Sequence, residues 1–158
     1  MAVRRRIVRE KAMQALYAYE LSREPIDTII DTLVADLKKH KESFDFAKSL
    51  ILKVLETSKE LDTLIKDKVK NWEFSRLAVI DKIILRMGIC ELLYFEDIPP
   101  KVSINEAIEI ARTFSTEKSD KFVNGVLDSV LDDLRKNDRL KKSGRGLLET
   151  SVIKKQNE

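Results

Sequence analysis

The stretch Ile98–Leu131, IPPKVSINEAIEIARTFSTEKSDKFVNGVLDSVL, carries the most specific pattern in this chain of 158 residues. Pro99 and Pro100 cannot continue a helix, so the preceding helix is expected to end before them. Apolar residues then recur every three or four positions, which predicts one helix before the polar segment 115–119 and a second helix after it. The rest of the chain is expected to pack against these two helices.

Two serines in this stretch have the positions of helix caps. Ser103 lies three residues before Glu106, which is the spacing of a capping box. Ser119 stands where the second helix should begin. We therefore expect both serine hydroxyls to accept hydrogen bonds from backbone N–H groups of the first helical turns.

The second helix contains a glycine at a position that a helix does not favour. Gly125 costs about 1 kcal/mol relative to alanine, which predicts that another backbone or a ligand approaches it closely. Phe122 and Asn124 lie in the same turn, and Phe114 ends the preceding helix. Rings of this kind can stack on unpaired RNA bases. Phe114 and Phe122 at helical spacing are also typical of core residues, and this alternative stays open.

The composition is typical of a helical protein. Hydrophobic residues make up 43% and charged residues 36% of the chain, and 4 Gly and 3 Pro are too few for the many tight turns of an all-β fold. No apolar run is long enough to span a bilayer, and the N-terminus lacks the apolar core of a secretory signal, so a cytoplasmic protein is expected. The single Cys90 excludes an internal disulfide and a multi-cysteine metal site.

The sequence contains no motif of the common enzyme classes. We find no P-loop, no dinucleotide-binding glycine run, no serine nucleophile motif and no zinc-binding His/Glu signature. His40 has no neighbouring cysteine or second histidine, as a zinc site or a catalytic triad would require. Glu106 and Glu109 have the spacing of an ordinary surface pair on a helix. We therefore expect no catalytic residue, no metal and no cofactor.

The first helix, expected over about residues 4–21, begins with a cluster of arginines. Arg4, Arg5, Arg6 and Arg9 stand near its start, and Arg5 and Arg9 are one turn apart, so their guanidinium groups can point the same way. Arginine binds phosphate bidentately and stacks on bases, which favours RNA contact, whereas a solvated helix end is the alternative. The net charge is only +3, so any attraction for an anion is local.

Apolar stripes predict four further helices, giving about seven in all: about residues 25–37, 44–55, 61–69 and 75–95. The last of these is apolar around most of its circumference, which is typical of a helix at the centre of a bundle or facing a partner. Trp72 and Phe74 precede it and are expected to pack in the core or at a hinge. The predicted fold class is therefore all-α, a compact helical bundle.

The chain is expected to form one helical domain over residues 1–136 with two small subdomains, about 1–72 and about 73–136. Beyond it the apolar periodicity decays into a basic segment that contains Gly144 and Gly146. Residues 137–158 are therefore predicted to form a basic, flexible tail.

Four segments resemble the transcription antitermination factor NusB family: RRRIVREKAMQALYAYELS from residue 4, RLAVIDKIILRMGICELLYFEDIP from residue 76, PPKVSINEAIEIARTFS from residue 99 and SDKFVNGVLD from residue 119. The resemblance covers roughly residues 4–134. It implies an all-helical NusB-like fold that pairs with a NusE-type small-subunit ribosomal protein. It also implies that the pair binds the boxA element of nascent, single-stranded RNA in the RNA polymerase antitermination complex and in ribosomal RNA transcription.

The resemblance also implies functional residues at the matching positions. The RNA-binding residues would be Arg4, Arg5, Arg6, Arg9, Gln14, Tyr17, Phe114, Lys118, Phe122 and Asn124. The partner-binding residues would be Asp81, Ile84 and Arg86. Lys118 stands where many relatives carry an acidic or polar residue, and this difference would strengthen RNA contact.

Three functional hypotheses follow. The first is an RNA-binding antitermination adaptor, acting as a monomer or a homodimer, whose arginines grip phosphates while the Phe122 turn supports bases. The second is a stand-alone relative of the RNA-binding domain that precedes the catalytic domain of ribosomal RNA cytosine methyltransferases. The third is a helical scaffold that binds only proteins, with its arginines merely solvated.

Overall fold

The computed structural model describes residues 3–148, which form eight α-helices and two short 3₁₀ helices, so the predicted all-α class is confirmed. The α-helices are α1 Arg5–Ser22, α2 Ile26–Leu33, α3 Lys41–Glu56, α4 Ser58–Lys66, α5 Asn71–Arg76, α6 Val79–Tyr94, α7 Pro100–Phe114 and α8 Ser119–Lys136. The 3₁₀ helices are Ala35–Leu37 and Gly144–Leu147. The chain divides into two compact units, Met1–Glu56 and Thr57–Glu158.

In the first unit, α1 packs against α2 and α3. Its core is formed by apolar side chains at helical spacing: Val8, Ala12, Leu16, Ile30, Ala47, Leu50 and Ile51. Because each helix buries only one such stripe, the opposite face of α1 is left available for polar and charged side chains.

In the second unit, α6 is the central helix and packs against α4, α7 and α8. Residues around almost its whole circumference are buried, which confirms a central position in its bundle. Gly88 allows α8 to pack closely, because a Cβ atom at this position would lie 2.9 Å from Leu127 Cδ1.

The division between the units differs from the boundary expected near residue 72, since it follows Glu56. The reason is that α4 packs on α6 and α8, with Leu61 and Ile65 fully buried. The additional helix α5 occupies the corner at which the sequence predicted only core or hinge packing. Trp72, which stands in this helix, is 57% exposed, so the expectation of core packing is wrong for this residue.

The segment after α8 contacts the end of α6 and the residues that follow it through Lys142, Ser143 and Gly146, which differs from the flexible tail expected from residue 137. Lys142 Nζ donates hydrogen bonds to the backbone oxygens of Glu91 and Phe95, at 3.0 and 2.8 Å. Ser143 N–H donates to Glu96 O at 3.0 Å. Burial lowers the pKa of Lys142 to about 8. Residues 149–158 of the predicted tail lie outside the described residues.

Gly146 is expected to be necessary for this packing. A Cβ atom at Gly146 would lie 1.8 Å from Glu96 O, which no small adjustment can accommodate. We expect Gly146→Ala to displace the 3₁₀ helix and to accelerate hydrogen exchange of the Ser143 amide about tenfold, equivalent to about 1.4 kcal/mol of lost docking free energy. Leu147→Ala, at an exposed position of the same segment, is the matched control. Unchanged protection of Ser143 in Gly146→Ala would contradict this.

Candidate nucleic-acid interface

The arginine cluster at the start of α1 is organised by a ring from α3. Arg4 and Arg5 are exposed, Arg6 is partly buried and Arg9 is 3% exposed. The Arg5 guanidinium carbon lies 3.8 Å from the Phe46 ring centroid, and that of Arg9 lies 5.4 Å from it. Arg5 and Arg9 therefore point to the same ring, as their spacing suggested. However, Arg9 is too buried to grip a phosphate, so its assignment as an RNA contact is corrected to a role in packing.

Gln14 and Tyr17 lie on the exposed side of α1, further along the helix from the arginines. The helical repeat places them on the same face as Ile7 and Leu21, which are also exposed. Both predicted contact residues are thus accessible to a ligand of the first unit.

A second group of predicted RNA-binding residues surrounds the link between α7 and α8, which we call the α7–α8 corner, residues 114–125. Phe114 and Phe122 are partly buried, whereas Lys118 and Asn124 are exposed. The rings therefore contribute to packing and still present part of their surface to solvent. This intermediate exposure suits a ring that supports a base from one side.

A buried carboxylate holds the α7–α8 corner in place. Asp81 on α6 is 7% exposed and accepts hydrogen bonds from Ser115 Oγ at 2.6 Å and from Ser119 Oγ at 3.0 Å. Ser119 Oγ also lies 2.9 Å from the hydroxyls of both Ser115 and Thr116. The carboxylate thus ties both ends of the link to the central helix, and we call this group the Asp81 cluster.

The two predicted serine caps are wrong, and tertiary hydrogen bonds explain why. Helix α7 begins at Pro100, before the proposed capping box, because the first turn does not need the N–H that proline lacks. Ser103 instead donates to the buried Glu91 carboxylate at 2.8 Å, and Ser119 serves the Asp81 cluster. Burying a carboxylate without hydrogen-bond donors costs free energy. Hydrogen bonds from the serine hydroxyls to these carboxylates therefore stabilise the protein more than helix capping would.

The three predicted partner-binding residues are engaged inside the second unit. Asp81 belongs to the buried cluster described above, and Ile84 is 1% exposed. Side chains this buried cannot contact a separate protein directly, so both assignments are corrected to structural roles. Arg86 forms a bidentate ion pair with Asp62 on α4, at 2.7 and 3.1 Å, and remains a prediction because it is only partly buried.

Charges beside the corner are fixed by a second ion-pair group. Arg112 on α7 pairs with Glu109 in its own helix and, through Nε at 3.1 Å, with Asp120 on α8. The hydrogen bond from Arg112 lowers the pKa of Asp120. Lys118 and Lys121 are exposed next to this pair, and so is Glu117, so the corner presents accessible charges of both signs.

Gly125 is exposed, and a Cβ atom there would meet nothing within 4 Å outside its own helix in the part of the chain that the structure describes. The predicted close approach of another backbone is therefore wrong, and approach by a ligand stays a prediction. We expect Gly125→Ala to stabilise the protein by about 1 kcal/mol, through helix propensity alone, in urea denaturation. Gly88→Ala, whose new Cβ would lie 2.9 Å from Leu127 Cδ1, should gain less than this, because Leu127 must move to make room for it. A loss of stability in Gly125→Ala would contradict the open geometry.

Other kinds of site receive no support from the described residues. Within residues 3–148, no group of three or more His, Cys, Asp or Glu side chains is arranged to hold a metal ion. No helix in the same range is long and apolar enough to cross a membrane. The candidate site therefore consists of the predicted RNA-binding residues that are accessible, which include Arg4, Arg5, Gln14, Tyr17 and the α7–α8 corner.

Comparison with known proteins agrees with the resemblance of the four segments. Residues 6–132 match the model of the NusB family. A transcription antitermination protein NusB from Chloroherpeton thalassium is 45% identical over 159 aligned residues, covering 98% of this chain and 74% of the relative. The protein of the same name from Salinibacter ruber is 45% identical over 150 residues, covering 94% of both chains.

Solved structures with the same fold include that of T. maritima NusB, which is 36% identical with a TM-score of 0.77 and covers 84% of this chain and 94% of its own. A chain from a crystal structure of antitermination factors NusB and NusE in complex with double-stranded RNA is 25% identical with a TM-score of 0.74, covering 82% of this chain and 96% of its own.

Proposed function

Since the chain belongs to the NusB family, we propose that it is an RNA-binding adaptor of transcription antitermination and not an enzyme. The observation that carries this proposal is the pair of exposed arginines, Arg4 and Arg5, at the start of α1 beside the segment that matches the family. Transcription in bacteria takes place in the cytoplasm, and we propose this location for the protein.

In the proposed mode of binding, Arg4, Arg5 and Arg6 hold phosphates of a boxA-type RNA. Arginine suits this role because its planar guanidinium forms two parallel hydrogen bonds with a phosphate. Stacking of Arg5 on Phe46 limits the freedom of its side chain, which reduces the entropy lost on binding. Gln14 and Tyr17 extend the contact along α1.

At the α7–α8 corner, Phe114 and Phe122 support bases, while Lys118 and Asn124 supply a charge and an amide. Each stacked base is worth about 1–3 kcal/mol. The open space at Gly125 lets a backbone or base approach α8 without meeting a side chain. The Asp81 cluster has an indirect role, because it fixes the link that carries these groups.

A NusE-type ribosomal protein is the proposed protein partner, because a structural relative is described in complex with NusE and RNA. If each ligand favours the other, the two binding free energies are coupled, typically by about 1–3 kcal/mol. We expect the partner to use surfaces other than the buried Asp81 and Ile84. The RNA polymerase antitermination complex would then be assembled through this pair.

Binding of a labelled single-stranded boxA-type RNA, followed by fluorescence anisotropy, tests the proposed function. We expect saturable binding that the NusE-type protein strengthens about tenfold, and weaker binding of a scrambled RNA of equal composition. The matching duplex must be included, because the related complex contains double-stranded RNA. Equal affinity for boxA-type and scrambled RNA, with and without the partner, would reject the proposal.

The two alternative hypotheses are less well supported. The relatives named above are antitermination proteins, which does not favour a relative of ribosomal RNA methyltransferases. A scaffold that binds only proteins would not use the exposed arginines at the start of α1 to bind an anion. The same anisotropy measurement separates it from the adaptor, since a scaffold binds the partner and not the RNA.

A further inference from the structure

Helix α5 and its neighbours form a basic and aromatic surface that the proposed function does not use. It consists of Trp72, Phe74, Arg76, Lys66 and Lys82, and we call it the α5 surface. Trp72 is the most exposed aromatic side chain among residues 3–148, at 57%. The sequence predicted that Trp72 would be packed in the core or at a hinge, and its exposure therefore suggests that this surface binds a ligand.

Three elements of the second unit bring cations to the two rings. Lys66 Nζ, at the end of α4, lies 4.7 Å from the Phe74 ring centroid, and Lys82 Nζ, in the first turn of α6, lies 4.9 Å from it. The Arg76 guanidinium carbon lies 5.6 Å from the Trp72 ring. These distances are typical of cation–π contacts, which hold the cations close to the rings.

The cations of the α5 surface are available for an anionic ligand. Within residues 3–148, no carboxylate oxygen lies within 4.0 Å of the charged nitrogens of Lys66, Arg76 or Lys82, whereas neighbouring Lys68 pairs with Asp133. Lys66 and Arg76 are exposed and Lys82 is partly buried, while Glu73, the carboxylate of α5, accepts a hydrogen bond from the Lys70 backbone N–H at 3.3 Å. A phosphate chain is the ligand that complements several such charges beside an exposed ring.

A protein partner fits this surface less well than RNA does. The centre of a protein interface is depleted in lysine and needs several apolar anchors around a buried core. Trp72 is the one large apolar side chain from α4, α5 and the start of α6 that is exposed within the described residues. Single-stranded RNA instead requires cations for its backbone and one accessible ring for each stacked base.

We propose that the α5 surface is a further contact site for single-stranded RNA. One base stacks on the exposed face of Trp72, and Lys66, Arg76 and Lys82 hold the neighbouring phosphates. This contact goes beyond the proposed binding of boxA-type RNA by α1 and the α7–α8 corner. It does not depend on the base sequence, because every base offers a face for stacking.

Trp72 is the only tryptophan of the chain, so intrinsic fluorescence reports this contact directly. We expect an unstructured RNA of mixed sequence, about 10 nucleotides long, to quench Trp72 saturably in the full-length protein. Trp72→Ala should weaken binding of the labelled RNA about fivefold or more in anisotropy, and Trp72→Phe should restore part of the affinity. The combined substitution of Arg4, Arg5 and Arg6 by glutamine should leave the quenching in place, which separates this contact from the proposed boxA-type site.

Charge substitutions provide the control. Lys66→Gln with Lys82→Gln should make the salt dependence of quenching shallower by about 1.4 in log–log slope, whereas Lys48→Gln, at an exposed position of α3, should not change it. Circular dichroism should show that Trp72→Ala is folded, since the side chain is mostly exposed. The proposal is overturned if RNA does not quench Trp72 or if Trp72→Ala binds RNA as wild type does. Quenching by the NusE-type protein and not by RNA would also overturn it, by assigning the surface to a protein.

Discussion

Replacing Arg4, Arg5 and Arg6 together by glutamine is expected to weaken binding of boxA-type RNA about 100-fold at about 0.1 M salt. For single strands, the logarithm of the binding constant falls with the logarithm of the salt concentration by about 0.7 for each phosphate contact. Loss of three contacts should therefore make the slope shallower by about 2. The electrostatic contribution to binding vanishes at about 1 M salt. A change of about 2 in the slope therefore lowers the binding constant about 100-fold at about 0.1 M salt. Anisotropy titrations over a range of salt concentrations measure both quantities.

The control variant carries the same loss of charge at exposed lysines away from the arginine cluster: Lys39→Gln, Lys48→Gln and Lys136→Gln. It should change the slope far less, since only contacts with the RNA release counterions. Arg9 is left intact in both variants, because its buried side chain would confound affinity with stability. If both variants made the salt dependence of binding shallower by the same amount, RNA binding would depend on the net charge of the protein and not on the arginines at the start of α1.

Asp81→Ala is expected to lower the free energy of unfolding by about 3 kcal/mol, the largest stability effect that we expect from one polar side chain in the second unit. The carboxylate accepts from two hydroxyls, and a hydrogen bond to a charged group contributes about 1.5–3 kcal/mol. Ser119 is buried, so its hydroxyl would also lose a partner that water cannot easily replace. Urea denaturation followed by circular dichroism measures the loss.

Two comparisons make this result specific. Asp132→Ala, at an exposed aspartate of α8, should change stability by no more than about 0.5 kcal/mol. Asp81→Asn should cost less than Asp81→Ala, because its amide oxygen still accepts from one serine while its NH₂ group can donate to the other. Since the Asp81 cluster fixes the corner, both Asp81 variants should also bind RNA more weakly. Equal stability of Asp81→Ala and Asp132→Ala would refute this role of the cluster.

The fold class could be predicted from the sequence because helix formation in this chain is encoded locally. The three-and-four spacing after Pro99 and Pro100 predicted α7 and α8, and the broad apolar surface of residues 75–95 predicted the central position of α6. Helix α5 was not predicted, because a helix of six residues is too short to show a repeat. The boundary between the units depends on where α4 packs, which periodicity cannot indicate.

The details of the candidate site depended on contacts between distant residues. Ser103 and Ser119 had the local signature of caps, but the carboxylates that engage them stand 12 and 38 residues earlier in the chain. Arg9 was assigned to the RNA because nothing in its own segment reveals that Phe46 covers it. Arg5 lies on the same face as buried Ala12 and Leu16 and is exposed because it stands at the end of α1, which the helical repeat does not indicate. The assignments of Arg4, Arg5 and the corner residues stand as proposals.

Mapping amide chemical shifts of the full-length protein during titration with a short boxA-type RNA tests the central claim most directly. The account predicts progressive shifts at residues 4–9 and at residues 114–125, with smaller effects at the core positions of α6. The control titration uses a scrambled RNA at the same salt concentration. Saturable binding of boxA-type RNA that leaves both of these segments unshifted would contradict the account.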